Sequence, residues 1–316
     1  MPLVRAEGLR VEYPGRSGGK VRALREVDLE VFEGETLGLV GESGCGKSTL
    51  GRALLRVLEP AAGRIEFLGL DITRLRGRAF RRTRADLQMV FQDPFDSLNP
   101  RRRVADIVAE PLLRARGATR AQAAEAAGEL LDLVGLGGEA GLRRPGEFSG
   151  GQRQRIGIAR ALASSPRFVV ADEPVSALDV SIQAQVINLL SDLVRERGLT
   201  MLFISHDLGV VRHIADRVAV MYLGQIIEIA ARDDFFAAPA HPYSQALLSS
   251  VPSLRPRGGR ITLDGDLPDP ANPPSGCLFS TRCPLVEERC RTSMPELREI
   301  GPGRSVRCHL VKEAEH

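Results

Sequence analysis

The sequence predicts an α/β protein with a parallel sheet, and three patterns in the chain lead to that fold class. Near the N-terminus, residues 3–13 and 21–31 alternate apolar and polar side chains, as half-buried strands do. A short apolar run, 36–40, leads into a glycine-rich stretch and then a helix. Farther along, helices alternate with the apolar runs 168–171 and 200–205, which is typical of parallel strands joined by helices.

Length, composition and charge limit the classes to which the protein can belong. The chain has 316 residues, of which 43% are apolar and 26% charged, so it can bury a core and is expected to form about two domains. The net charge of +3 does not indicate a nucleic-acid partner, and we expect none. The chain has no run of 18 apolar residues and no apolar secretory signal, which predicts a cytosolic protein in which disulfides are rare.

Turn and cap signals place the first elements. Proline and glycine residues at 14–19 separate the two N-terminal strands, and a helix is expected to follow the glycine-rich stretch through Leu58. Two later helices flank the apolar run 168–171, and they are expected to end at Ala163 and Arg197.

The middle and the end of the chain differ in character. Helix formers dominate 121–133 and Thr119 is a plausible N-cap, so a helical insertion is predicted at about 94–150. From 239 to 316, prolines and glycines are frequent and no long periodic element remains. Such a segment has little core of its own, so we expect the chain to divide into 1–238 and 239–316.

The strongest local signal is a P-loop, the phosphate-binding pattern G-x-x-x-x-G-K-[ST]. Its residues are Gly41, Glu42, Ser43, Gly44, Cys45, Gly46, Lys47, Ser48 and Thr49. Glycines let backbone N–H groups turn toward phosphate oxygens, and the N-terminus of the following helix adds a favourable dipole. Lys47, one of only three lysines, is predicted to reach the β- and γ-phosphates, and Ser48 to bind Mg²⁺. The side chain of Cys45 is expected to be incidental.

Polar side chains come directly after two later apolar runs. Asp172 ends the first run, where its carboxylate emerges at the C-terminal edge of a parallel sheet and can hold Mg²⁺ through water. Glu173 follows it and can orient or deprotonate the water that attacks the γ-phosphate. The simpler interpretation of both is a solvated strand end. His206 follows the second run, where a lone histidine is ordinarily a capped strand end or a satisfied core group.

These motifs resemble, in their order along the chain, the ATP-binding cassette (ABC) family of ATPases over about residues 3–250. Two further motifs complete the series, FSGGQRQR at 148–155 and SALD at 176–179. The resemblance implies a P-loop NTPase of ABC type. It would have a mixed sheet core, an N-terminal antiparallel β subdomain, a helical insertion and a small, loop-rich C-terminal extension.

In the resembled family, two ATP molecules lie head to tail between two cassettes. The resemblance implies that Asp179 lies at the interface between the two cassettes. It also implies that a four-residue segment faces the γ-phosphate bound by the partner chain, namely Ser149, Gly150, Gly151 and Gln152.

The resemblance also assigns three single residues. His206 would contact the γ-phosphate, and Gln92 would bind Mg²⁺ or water and link the nucleotide to the helical insertion. Tyr13 stands where an aromatic ring stacks on adenine, although a core tyrosine is nearly as good an interpretation.

Three further segments resemble the ATPases of dipeptide/oligopeptide importers, namely Gln92–Arg101, His241–Leu248 and Gly276–Pro284. The sequence looks more like the F-type than the D-type subunit of such importers. The resemblance implies an ATP-hydrolysing subunit that pairs with itself or a paralogue. It would lie at the cytoplasmic face of the membrane as a peripheral protein, docked on two permease subunits and serving an extracytoplasmic solute-binding protein.

Other functions remain open at this point. Importers of nickel and other small solutes use similar ATPases. A soluble ABC ATPase of DNA repair or translation usually carries two cassettes, coiled coils or zinc insertions, and the sequence has none of them. A non-enzymatic regulatory subunit would have degenerate motifs, whereas Lys47, Asp172, Glu173, His206 and Ser149 are intact.

Four of the five cysteines lie close together in the sequence, at Cys277, Cys283, Cys290 and Cys308. Four thiolates can hold a [4Fe–4S] cluster or a tetrahedral Zn²⁺ ion, but the C-x5-C-x6-C-x17-C spacing lacks the short pairs of zinc ribbons. Members of the resembled subfamily carry an iron–sulfur cluster at this motif, which favours [4Fe–4S] in a structural role. Free or buried thiols are the alternative.

Overall fold

The structure is a computed structural model that describes residues 1–15, 19–93, 98–176, 178–250, 261, 263 and 265–312. It divides into two compact units. The first comprises residues 1, 32–35 and 74–204, and the second comprises 2–31, 36–73 and 205–316. The N-terminal strands, the P-loop and the C-terminal segment therefore belong to the same unit. No helix in the described ranges is long and apolar enough to cross a membrane.

Twelve strands are present in the described part of the chain: β1 (Pro2–Pro14), β2 (Lys20–Phe32), β3 (Thr36–Val40), β4 (Ala62–Phe67), β5 (Leu70–Asp71), β6 (Leu87–Val90), β7 (Phe168–Asp172), β8 (Thr200–Ile204), β9 (Arg217–Tyr222), β10 (Gln225–Ala231), β11 (Arg298–Gly301) and β12 (Arg304–Val306). The α-helices are α1 (Lys47–Leu54), α2 (Gly77–Asp86), α3 (Val104–Pro111), α4 (Arg120–Leu133), α5 (Gly150–Leu162), α6 (Val180–Arg197), α7 (Leu208–Ile214), α8 (Arg232–Ala237), α9 (Pro242–Ser249) and α10 (Glu288–Thr292). Shorter helical turns occupy Leu112–Arg116, Gly138–Leu142 and Pro145–Glu147.

The second unit contains the predicted N-terminal β structure. One sheet has the strand order β2-β1-β4-β5, in which β1 and β4 are antiparallel. Another group of strands follows the order β11-β12-β10-β9-β3. In it β3 is parallel to β9 and the other pairs are antiparallel, so the sheet is mixed. All five residues of β3 are buried, as the apolar run at 36–40 predicts.

The first unit contains the predicted parallel sheet and the helical insertion. Its strands run in the order β8-β7-β6 with parallel pairing, and every residue of β7 and β8 is buried. The predicted helix at 121–133 is confirmed and begins one residue earlier, at Arg120. Thr119 is its N-cap, in a capping box with Gln122.

The first helix after the P-loop is shorter than predicted. We expected it to continue through Leu58, but α1 ends at Leu54. Arg56 adopts a left-handed backbone with a φ of 54°, and the Val57 N–H donates to the Arg52 carbonyl at 2.8 Å. This left-handed cap closes the helix, and because a glycine usually occupies such a position, an arginine there gives no stop signal in the sequence.

Short elements in the C-terminal segment were not predicted. The strands β11 and β12 have four and three residues, too few for an alternating pattern to be visible. The strand β12 nevertheless pairs with β10, with Val306 opposite Glu228. The C-terminal segment is thus tied to the sheet of the second unit.

A buried carboxylate strengthens this attachment. Glu228 on β10 is fully buried and accepts hydrogen bonds from the backbone N–H groups of Ala240 at 2.7 Å and His241 at 2.8 Å. Arg304 on β12 lies 3.6 Å from the same carboxylate. The charge therefore has partners on both the helical and the strand part of the C-terminal segment.

We expect Glu228→Ala to lower the free energy of unfolding by about 2–5 kcal/mol, because the N–H groups of Ala240 and His241 lose their acceptor and the partly exposed Arg304 loses its carboxylate partner. Urea denaturation followed by circular dichroism measures the change. Glu299→Ala, at an exposed position on β11, is the matched control and should change stability by no more than about 0.5 kcal/mol. Equal effects of the two substitutions would contradict the role of Glu228.

Candidate functional site

The P-loop has the backbone that its glycines permit. Gly41, Gly44 and Gly46 have φ values of 151°, 80° and 108°, a region that other residues rarely adopt. A Cβ atom on Gly41 would lie 2.2 Å from the Met221 carbonyl oxygen on β9. The loop therefore approaches the neighbouring strand as closely as a residue without a side chain allows.

The ammonium group of Lys47 lies inside this loop. The residue is only 5% exposed, and Nζ donates hydrogen bonds to the carbonyls of Gly41 at 2.7 Å and Glu42 at 2.9 Å. The thiol of Cys45 is also buried, 3.9 Å from Nζ. A buried cation beside the first turn of α1 makes the loop suited to binding an anion.

A cavity of about 320 Å³ adjoins the P-loop within the second unit. Gly41 lines it together with His206 and with Leu247 and Ser250 of the C-terminal segment. His206 itself is exposed, and Asp207 caps α7 by accepting the Gly209 N–H at 2.8 Å. The structure thus brings the predicted histidine to the same cavity as the P-loop.

Sequence reasoning missed two residues that hold the P-loop from the C-terminal segment. The Tyr243 hydroxyl accepts the Glu42 N–H at 2.9 Å. Arg282 donates to both carboxylate oxygens of Glu42, at 3.1 and 2.9 Å. These contacts span 201 and 240 residues of the chain, so no local pattern could have revealed them.

In the first unit, the predicted carboxylates lie at the end of β7. Asp172 is 1% exposed, and Glu173 leaves the strand with a left-handed φ of 45°. The Glu173 N–H donates to the Ile204 carbonyl at 3.0 Å, and its carboxylate accepts the side-chain amide of Gln92 at 3.1 Å. The structure therefore brings the side chains of Gln92 and Glu173 into contact, although the residues are 81 positions apart in the chain. Residues 94–97 of the predicted segment after Gln92 lie outside the described residues.

The segment Ser149–Gln152, predicted to face the γ-phosphate of a partner chain, forms the start of a helix. Ser149 is the N-cap of α5, with its hydroxyl accepting the Gln152 N–H at 3.4 Å, while the Gln152 side chain accepts the Ser149 N–H at 3.0 Å. A Cβ atom on Gly151 would lie 2.3 Å from the Ile182 side chain of α6. Close packing of two helices therefore demands this glycine, whereas Gly150 has more room.

The two remaining predicted contacts with nucleotide lie at the surface. Asp179 is the N-cap residue of α6, but its side chain makes no capping hydrogen bond, and it is exposed. The next residue, Val180, is 83% exposed. Tyr13 on β1 is 38% exposed and is therefore not a core tyrosine.

The four late cysteines lie in one region, and none forms a disulfide. The Cys277 N–H donates to the Cys290 carbonyl at 2.8 Å. Burial first, and then the neighbouring thiols Cys290, Cys308 and Cys283, raise the pKa of Cys277 to about 11. However, no group of three or more His, Cys, Asp or Glu side chains in the described part of the chain is placed to hold a metal ion. The predicted cluster site is thus not supported by the structure.

Solved structures share this architecture. A dimeric ATP-binding cassette in a post-hydrolysis state, bound to ADP and Pi, is 29% identical, with a TM-score of 0.66 over 72% of this chain and 98% of that one. The protein cbiO1 from Clostridium perfringens, part of the ABC transporter complex cbiONQ, is 26% identical, with a TM-score of 0.65 over 75% and 91%. Fold and site together define an ATP-binding cassette.

Sequence comparison narrows the class. Residues 24–176 match the ABC transporter family, and residues 227–290 match the oligopeptide/dipeptide transporter C-terminal region. A putative peptide import ATP-binding protein of Brucella ovis is 53% identical over 97% of both chains. The oligopeptide transport ATP-binding protein AppF of Bacillus subtilis is 53% identical over 94% of both. The chain therefore belongs to the ABC transporter ATP-binding proteins of the oligopeptide/dipeptide family, and it is an ATPase.

We expect Gly41→Ala to abolish nucleotide binding, because the new methyl group clashes with the Met221 carbonyl and distorts the loop around Lys47. Equilibrium binding of a fluorescent ATP analogue measures the effect. The control is Gly128→Ala, at a position in α4 where a Cβ meets no atom within 4 Å and the helix gains from alanine. Nucleotide affinity unchanged by Gly41→Ala would contradict the assignment.

Proposed function

We propose that the chain powers the import of peptides by hydrolysing ATP. The observation that carries the proposal is the P-loop curled around the buried Lys47, in a chain similar along nearly its whole length to peptide import ATP-binding proteins. The Brucella relative and AppF support peptides over nickel or another small solute as the cargo. We further propose that residues 1–238 form the cassette and 239–316 its C-terminal extension.

The P-loop residues, Gly41 through Thr49, would hold the phosphates of ATP, with Tyr13 against the adenine and His206 near the γ-phosphate. Mg²⁺ would bind through Ser48, Asp172 and Gln92, whose hydroxyl, carboxylate and amide oxygens are ligands that Mg²⁺ prefers. When bound, the ion would neutralise phosphate charge.

Glu173 would act as the general base for the attacking water. Its left-handed backbone and its hydrogen bonds to Ile204 and Gln92 fix the carboxylate, as a positioned catalytic group requires. Phosphoryl transfer needs positioning and charge neutralisation more than covalent chemistry, so few polar groups suffice.

The second cassette would be a paralogue or another copy of this chain, bound head to tail. Ser149 to Gln152 would face the γ-phosphate of the partner, with Asp179 on the seam. The exposure of Asp179 supports this proposal, because its side chain is accessible to a second cassette. The dimer would lie peripherally at the cytoplasmic membrane face, docked on two permease subunits that receive cargo from a solute-binding protein. An F-type rather than D-type subunit fits the sequence.

We expect Glu173→Gln to keep ATP binding and the ATP-dependent dimer but to lower the rate of hydrolysis by about 10²–10⁴-fold, because the amide cannot accept a proton. Phosphate release measures turnover, and size-exclusion chromatography with ATP follows the dimer. Glu196→Gln, an exposed position in α6, is the matched control. Undiminished turnover of the Glu173 variant would refute the catalytic assignment.

We also propose that Cys277, Cys283, Cys290 and Cys308 hold a [4Fe–4S] cluster, with Zn²⁺ as the alternative. Four thiols that form no disulfide have the donor chemistry that an iron–sulfur cluster and Zn²⁺ both require. The structure does not arrange the four side chains as a set of metal ligands. A bound metal would crosslink a segment that has only short helices and strands.

Anaerobic purification followed by iron, zinc and sulfide analysis and a visible spectrum tests this site. A [4Fe–4S] cluster should show about four iron atoms per chain and a broad band in the visible range. Cys283→Ser should lower the metal content, whereas Cys45→Ser, at the P-loop, should leave it unchanged. A chain with neither iron nor zinc would overturn the proposal.

A further inference from the structure

The P-loop residue Glu42 is held by two side chains from the far end of the chain. Tyr243 on α9 accepts its backbone N–H at 2.9 Å, and Arg282 donates to both of its carboxylate oxygens. Arg282 directly precedes Cys283 in the cysteine-rich segment. One residue of the nucleotide site is thereby attached to two separate places in the C-terminal segment.

This contact is shielded from water. The side chain of Arg282 is 9% exposed and that of Glu42 is 28% exposed. Removing one partner from an ion pair at such a position is costly, because the other charge is left without compensation. Burial and the nearby charge of Glu42 both raise the pKa of Tyr243, so its hydroxyl stays protonated.

The tyrosine is fixed in turn by an aromatic cluster. The ring of Tyr243 lies 4.8 Å from Tyr222 and 5.4 Å from Phe279, edge to face. Tyr222 and Tyr243 are fully buried, so neither ring can turn freely. The hydroxyl that meets Glu42 is therefore presented from a rigid support.

Glu42 connects these contacts to Lys47, the lysine of the P-loop. Its backbone N–H points to Tyr243, while its carbonyl oxygen accepts a hydrogen bond from Lys47 Nζ at 2.9 Å. A shift of Glu42 would move one of the two carbonyls that hold the ammonium group. The position of Lys47 thus depends on the C-terminal segment.

We propose that Arg282 and Tyr243 are positioning residues for ATP binding. They hold Glu42, and through it the P-loop, in the geometry that admits the phosphates, but they take no part in hydrolysis. This inference rests on the proposed binding of ATP at the P-loop and assigns the C-terminal segment a role in nucleotide affinity.

The test compares Arg282→Gln, Arg282→Lys and Tyr243→Phe in the purified full-length chain. We expect Arg282→Gln to raise both Kd and KM for ATP by about tenfold, the size of one charged hydrogen bond, with kcat changed less than about twofold. Arg282→Lys should recover part of the affinity because it keeps the charge. Arg64→Gln, which breaks two ion pairs of an arginine that is 50% exposed, is the matched control and should change neither parameter.

A double-mutant cycle with Glu42→Gln separates this role from a structural one. If Arg282 acts through Glu42, the double variant should bind ATP no more weakly than the Arg282 variant alone. Additive losses, or losses in kcat instead of KM, would overturn the proposal. If Arg282→Gln unfolds below the assay temperature, Tyr243→Phe, which removes only one oxygen atom, becomes the deciding variant. An unchanged affinity for ATP in that variant would then count against the inference.

A different result would refute the proposed function itself. It fails if the wild-type chain neither binds nor hydrolyses ATP. The positioning role fails if the wild-type chain binds ATP and the variants of Arg282 and Tyr243 bind it equally well.

Discussion

A buried ammonium group is the constraint on which the nucleotide site depends. Removing a charge from water is expensive unless partners compensate it, and here the carbonyls of Gly41 and Glu42 do so for Lys47. Both carbonyls can point inward only because glycines give the loop its left-handed turns. Each contact that fixes the loop, including that of Gly41 with the neighbouring strand, therefore also fixes the position of the Lys47 ammonium group.

In the first unit, the fixed charged group is the partly exposed carboxylate of Glu173. Glu173 follows a strand whose residues are all buried, and its unusual backbone turns the side chain to the amide of Gln92. A left-handed glutamate costs energy, and such strain persists where the surrounding structure enforces it. The hydrogen bond to Ile204 on the adjacent strand provides that enforcement.

Local signals in the sequence predicted the parts of the site that are contiguous in the chain. The P-loop, the segment Ser149–Gln152 and the strand ends before Glu173 and His206 all depend on neighbours a few residues away. The contacts of Glu42 with Tyr243 and Arg282 depend on tertiary packing, which spacing does not encode. The left-handed Arg56 and the short strands β11 and β12 were not predicted for another reason. An arginine is not a typical residue for a left-handed position, and the two strands are too short to show a period.

The contacts of Glu42 also have a consequence for biosynthesis. The P-loop is synthesised before Tyr243 and Arg282, which follow Glu42 by 201 and 240 residues. Until they emerge, the nascent cassette lacks the groups that fix its phosphate loop. On the proposed positioning role, tight nucleotide binding would have to wait until both residues have been synthesised, and a chain that stops before them would compete poorly for ATP.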